Sequence, residues 1–328
     1  MIEFLRAKRG PLLLLCALAV YCLSVAAADV YPSKPIRIIV PVSAGGNLDL
    51  VTRSLADRFS VSMGQPVIVE NKTGASSSVG TRFVATSPPD GYTLLAVGNT
   101  FVSAPAILPD IGYDAVAEFV GISLIARIPI VLVVPTNSPS QSVSSLIARA
   151  KARPGELSYA SAGSGSTGHF TAEKFARDAG ITLLHVPYKG NGPALIDVMG
   201  GRVDLMFDQV STSSSNVRAG KLRALGVTTK ARSNIFPEVP TLDESGLAGF
   251  EDVTFNALVA PAGTPREILV RLHSEIVKAL QQPELRERFN SQGIELTPSA
   301  SYEEFNRYMK SEVARYAKLA RDANIKAD

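Results

Sequence analysis

Short apolar runs alternate with helical patterns along most of this chain. Ile36-Arg37-Ile38-Ile39-Val40, Val67-Ile68-Val69, Thr93–Val97 and Ile130–Val134 read as buried strands. Leu157–Ala160, Leu183–Val186, Val203–Phe207 and Leu222–Val227 continue the series. Between them, Leu50–Met63, Val143–Ala152, Phe170–Ala179 and Pro193–Met199 carry helical spacing. Strand–helix alternation of this kind implies βαβ units and parallel sheets covered on both faces.

The last third changes character. Ser233–Phe250, rich in Pro, Gly and acids, reads as a loop with a short helix. After the strand-like Phe255–Ala260, three helices are expected at Pro265–Gln281, Glu284–Gln292 and Ser301–Ala323. In the last, Tyr302, Phe305, Met309, Val313, Tyr316 and Ala320 fall on one face, which must pack on something; the first sheet is the natural partner. The chain then crosses between two domains twice, near Ala126–Val134 and near Glu251–Ala260, as a hinged clam-shell requires. The expected division is residues 29–128 with 256–328 as domain 1, and 129–255 as domain 2.

The N-terminus reads as a secretory signal over residues 1–28. Arg6, Lys8 and Arg9 precede the apolar Leu12–Val25, and Ala26-Ala27-Ala28 offers a cleavage site near Ala28. Both cysteines, Cys16 and Cys22, lie within it, so the mature chain is expected to be a periplasmic or secreted protein without disulfides, stabilised by its core. Tyr21 before Cys22 argues against a lipid anchor. Without Glu3, Arg6, Lys8 and Arg9 the net charge drops from +3 to about +1, which argues against nucleic acid and polyanionic membranes.

Two loops carry the candidate chemistry. Ser43-Ala44-Gly45-Gly46-Asn47-Leu48-Asp49 and Ser161-Ala162-Gly163-Ser164-Gly165-Ser166-Thr167-Gly168-His169 each join an apolar strand to a helical run. Small residues there free backbone N–H groups and hydroxyls at the positive end of a helix, a site for anions. Gly163, Gly165 and Gly168 satisfy G-x-G-x-x-G, but His185-Val186-Pro187-Tyr188-Lys189-Gly190 holds no acid for a ribose, so no dinucleotide is expected. A plain tight turn is the competing reading. Asp49 and Asp208 either cap local structure or face the ligand, and His169 reads as a neutral hydrogen-bonding group or as solvent-exposed.

An alternative function is a secreted hydrolase or isomerase using Ser166, His169 and Asp208. Ser164 and His185 are further candidates, though no G-x-S-x-G elbow is present. Three histidines, His169, His185 and His273, without metal-ligand spacing give no metal site, and the absence of a P-loop motif excludes that phosphate site; no cofactor is expected.

The ordered motifs resemble the extracytoplasmic substrate-binding proteins of tripartite tricarboxylate transporters, the Bug receptors. They are Tyr31-Pro32-Ser33-Lys34-Pro35-Ile36, Gly45-Gly46-x-x-Asp49, Val69-Glu70-Asn71-Lys72-x-Gly74-Ala75, Pro89-Asp90-Gly91-Tyr92, Tyr159–Ser166, His185–Gly190, Gly200–Asp208 and Pro237–Thr241, covering essentially the whole mature chain. The resemblance implies a two-domain α/β periplasmic binding protein of clam-shell, type II-like form. Its ligand lies between the domains and its C-terminal helical segment packs on domain 1. It also implies a small carboxylate ligand, a di- or tricarboxylate, amino acid or aromatic acid, held by backbone amides, hydroxyls and bridging waters. One wall falls to Ser43, Gly45, Gly46, Asn47 and Asp49, the other to Ser164, Ser166, Thr167, His169 and Asp208, with Phe255 nearby. The expected partners are a tripartite permease or a sensor, and the receptor is expected to be a monomer. Leu48, Ser76-Ser77-Ser78 and Thr254-Phe255-Asn256 depart from the family's usual residues, the last where many members carry Trp.

Overall fold

The computed structural model describes residues 31–326, so the expected signal segment over residues 1–28 and the expected cleavage site near Ala28 lie outside the described residues. Strands β1 (Ile36–Val40), β2 (Val67–Asn71) and β3 (Thr93–Gly98) run parallel. Strands β5 (Ser158–Ser161), β6 (Leu184–Pro187) and β7 (Leu205–Gln209) form a second parallel set. Strands β4 (Phe119–Pro135) and β9 (Val253–Pro261) join the two sets, in the order β2-β1-β3-β9-β4-β7-β5-β6. Both run antiparallel to their neighbours, so the sheet is mixed rather than wholly parallel. The short β10 (Glu295–Leu296) and β8 (Leu222–Val227) also pair with β4.

The period-two pattern sorts the core. Ile36, Ile38 and Val40 enter one apolar cluster and Ile39 the opposite one; Leu94 and Ala96 against Leu95 and Val97 repeat the split. Strand β4 was expected only over Ile130–Val134. It begins eleven residues earlier, since β9 pairs with Phe119–Pro129 while β7 and β8 take its far end. Two register shifts in its first half break the alternation that would have revealed it.

Helices α1 (Asn47–Met63), α2 (Ser78–Ala85), the one-turn α3 (Thr100–Ser103), α4 (Val143–Ala152), α5 (Thr167–Ala179), α6 (Asn191–Met199) and α7 (Val210–Arg218) follow the strands. Helices α8 (Arg266–Leu280) and α9 (Pro283–Asn290) cover the same sheet face as α1. The last helix, α10 (Tyr302–Asp322), buries Phe305, Met309, Tyr316 and Leu319 against the other face of β3 and β9, as its apolar stripe predicts. Residues 233–250 form turns and no helix: Pro237, Pro240, Gly246 and Gly249 interrupt the segment, which is pinned by buried Phe236, Leu242 and Phe250. No helix among the described residues is long and apolar enough to cross a membrane.

The fold sets strand C-terminal ends against helix N-termini along a crevice beside β4 and β9. That crevice holds the site.

Candidate functional site

A cavity of about 480 Å³ lies there, lined from both halves of the sheet. Ser43, Gly46, Asn47 and Leu48 come from the β1–α1 turn; Lys189, Gly190, Asn191, Gln209 and Thr212 come from the other side. A smaller pocket of about 150 Å³ adjoins it, sharing Thr100, Thr167, Asn191, Gln209 and Thr254 and adding Ser166 and Asp208.

Five helices of two turns or more start at this wall. Gly46, Ser77, Gly190 and Gln209 are the N-caps of α1, α2, α6 and α7, and none has a side-chain capping bond. Thr167 opens α5 behind Ser166, whose hydroxyl caps the His169 N–H. Uncapped first turns leave backbone donors at the positive ends of the helix dipoles. The larger cavity contains no Asp, Glu or Arg and one Lys, Lys189. Its field is positive and its donors outnumber its acids, which suits an anion. Val42, Val97 and Phe101 supply an apolar wall.

Asp49 does not line the cavity. Its buried carboxylate accepts from the Gly45 N–H at 2.9 Å, Asn71 Nδ2 at 2.9 Å and Arg53 Nε at 3.0 Å, and so fixes the turn from behind. Burial alone would raise its pKa, yet these bonds from Arg53, Gly45 and Asn71 together hold it below the usual value. Gly45, at φ +86, makes the sharp bend and gives its N–H to Asp49.

His169 is likewise structural. The residue is 4% exposed; its ring stacks on His185 at 4.0 Å and accepts the Gly165 N–H at Nδ1 over 3.1 Å, which leaves that nitrogen without a proton. Ser164 stands half-buried in the same loop, outside the cavity lining, and makes an internal contact. The neutral, hydrogen-bonding reading of His169 fits this geometry; the solvent-exposed one does not.

Phe255 faces away. Strand alternation turns Thr254 and Asn256 toward the cavity and sends Phe255 into the core, edge-on to Tyr308 at 5.7 Å. Among the other departures, Leu48 and Ser77 line the cavity. Ala75, Ser76 and Ser77 all hold positive φ, strain of about 1–3 kcal/mol each at the cavity's edge.

Asp208 reaches the smaller pocket. Its carboxylate accepts from Asn191 Nδ2 at 2.7 Å, Thr212 Oγ1 at 2.5 Å and Ser213 Oγ at 2.6 Å. Burial pushes its pKa up to about 6, against the pull of Ser213, Thr212 and the Gln209 N–H. The folded protein therefore keeps this proton at pH values where the unfolded chain, with an ordinary value of 3.8, has released it. The group's contribution to stability falls as pH rises from about 4 to about 6, by about 3 kcal/mol in all, and is level above that. Asp208→Asn is expected to remove this slope. Urea midpoints from pH 4 to pH 7 should show the variant gaining on the parent as pH rises; parallel curves would refute the assignment.

Two bridges cross the crevice. Asn47 Nδ2 donates to Gln209 Oε1 and to Ser211 Oγ, the latter at 2.7 Å. Ser103 Oγ donates to the Gly165 carbonyl at 2.8 Å. The two loops singled out in the sequence thus meet at one cleft. Lys189, Asn191 and Gln209 were not singled out as ligand-binding residues, and Thr254 and Asn256 were noted only as departures, because the β6–α6 turn, the end of β7 and the start of β9 are far apart in sequence and meet only in the fold.

Residues 51–325 match the model of the Tripartite tricarboxylate transporter family receptor. The chain belongs to that family. BugT of Bordetella pertussis (strain Tohama I) is 37% identical over 305 residues, covering 91% of this chain and 92% of BugT. The solved structure of the periplasmic binding protein BugD is similar at TM-score 0.79 and 34% identity, over 91% of this chain and 100% of BugD. That of R. palustris Rpa4515 with adipate gives TM-score 0.82 at 33% identity, over 91% and 100% of the two chains. The receptor has the two-domain periplasmic binding protein fold, and it is a solute-binding protein and not an enzyme. The hydrolase alternative falls with this, and the geometry gives the reason. Ser166 caps α5, His169 Nδ1 holds the Gly165 N–H, and Asp208 holds Asn191, Thr212 and Ser213.

Proposed function

We propose that the receptor captures a small organic carboxylate in the periplasm and closes around it. The observation that carries this reading is the convergence of uncapped helix N-termini on a cavity without acids. The adipate held by the 33%-identical Rpa4515 supports the same ligand class. Ser43, Gly46 and Asn47 form one wall and Ser166 and Thr167 part of the other. Gly45, Asp49, His169 and Asp208 hold those walls in shape. Closure is a population shift in which ligand contacts to both sides favour the form joined by Asn47, Gln209 and Ser211. Exclusion of water then strengthens each N–H···carboxylate bond.

The domain division assigned to this motion is 29–128 with 256–328, and 129–255. Residues 1–28 act as the export signal. The mature protein works as a monomer and delivers its ligand to a tripartite permease or reports it to a sensor. The expected test result is a saturable rise in unfolding midpoint of the refolded, ligand-stripped protein with at least one of adipate, glutarate, succinate, malate, citrate, glutamate and benzoate. A flat response to all seven would overturn the carboxylate reading.

A further inference from the structure

The central row of the sheet under the cavity has an unusual polar member. In β9, Asn256 pairs with Gly98 of β3 on one side and Ala126 of β4 on the other. Both neighbours are small, so nothing bulky flanks its carboxamide. The residue is 2% exposed and lines the larger cavity. Its Nδ2 has no hydrogen-bond partner among the described residues.

A buried amide donor without a partner costs free energy unless something outside the chain satisfies it. Asn99, which lines the same cavity, makes the contrast. Its Nδ2 donates to the Val253 carbonyl and to the Tyr316 hydroxyl, and its Oδ1 accepts the Phe255 N–H, all within 2.9 Å. Asn99 ties the fold together; Asn256 is left over. The wall around it includes Val97 and Phe101, which offer no acceptor side chain, and the helix N-termini lie at the cavity's two sides.

We propose that Asn256 is a specificity-determining residue whose Nδ2 donates to a second acceptor on the ligand, a carboxylate oxygen separate from the carboxylate held at the helix N-termini. This deepens the receptor reading and rests on it: the ligand is a dicarboxylate with a short apolar spacer, and Asn256 discriminates it from the monocarboxylate of equal length. A buried donor rejects the analogue lacking its acceptor because the donor then stays unpaired.

Calorimetric titrations with the pairs adipate and hexanoate, glutarate and pentanoate, and succinate and butyrate test this in the parent and in three variants. The parent is expected to prefer the dicarboxylate of at least one pair by tenfold or more. Asn256→Leu, similar in shape without a donor, should weaken that dicarboxylate at least tenfold and erase the preference, while its ligand-free unfolding midpoint does not fall. Asn256→Asp should weaken it a hundredfold or more at pH 7. Asn256→Ser, which keeps a small donor, should lie between the parent and Asn256→Leu, and carries the test if the charged variant fails to fold. A parent that binds dicarboxylates without preference, or an Asn256→Leu protein that keeps it, overturns this inference alone. A parent that binds none of the six, nor malate, citrate, glutamate or benzoate, overturns the receptor reading and this inference together.

Discussion

Asn47→Asp is expected to weaken carboxylate binding about a hundredfold while leaving the free protein folded and slightly more stable. Asn47 opens α1 and lines the cavity, so the new charge would stand where the ligand's carboxylate is drawn. Two like charges about 5 Å apart at an effective dielectric constant of about 20 repel by about 3 kcal/mol, or roughly a hundredfold in Kd. The same charge in the first turn of α1 favours the helix by about 0.3–1 kcal/mol. Asn47 now donates to Gln209 Oε1 and Ser211 Oγ; Ser211 can turn its hydroxyl proton to the new carboxylate, and Gln209 can flip its amide to present Nε2, giving up its long 3.4 Å bond to Thr254 Oγ1. Titration calorimetry and urea unfolding on one preparation should thus move in opposite directions. Loss of both binding and stability would mean that Asn47 acts only as a brace.

Gly168→Ala is expected to damage both. Helix α5 enters so close to β7 that a Cβ on Gly168 would lie 2.6 Å from the Phe207 carbonyl oxygen. That oxygen belongs to a buried strand and cannot swing aside as a flexible side chain could. Either α5 lifts or β7 bends, at about 1–3 kcal/mol. The unfolding midpoint should drop by roughly 3–8 °C. Because Ser166 and Thr167 precede Gly168 at the cleft, ligand affinity should fall too. Gly180→Ala gives the comparison: its Cβ would meet nothing within 4 Å, although its φ of +61 carries its own strain. A Gly168→Ala protein with the parent's midpoint and affinity would show that α5 is not held where it stands.

Much of this site was legible in the sequence, and the limits have physical causes. The strand–glycine–helix pattern located both loops, because small residues before a helix leave few other uses for its first N–H groups. Asp49 and His169 were placed at the two strand-to-helix turns, where they stand in the first turns of α1 and α5, and Asp208 lies at the end of β7, but a sequence does not say which way a side chain turns. Asp49 and His169 turn inward to Gly45 and Gly165 and shape the donors rather than touch the cavity. Phe255 was set at the ligand, although the alternation of Phe255, Ala257 and Val259 with Asn256 and Leu258 assigns it to the core. Helix α7 went unseen because its Ser-Thr-Ser-Ser-Ser run has poor helix propensity; in the fold Ser213 gives its hydroxyl to Asp208, and Thr212 shares its own between Asp208 and the Gln209 carbonyl. Lys189, Gln209 and Asn256 become one site only when the sheet closes, and no local pattern encodes that meeting.

The central claim is reversible capture of a carboxylate between the two walls, and titration of the refolded, ligand-stripped protein with mass spectrometry of the recovered compound tests it most directly. The account predicts one site per chain for at least one of the seven carboxylates tested for stabilisation, with the compound returned chemically unchanged. No binding by any of them, or a compound consumed on incubation, would contradict it.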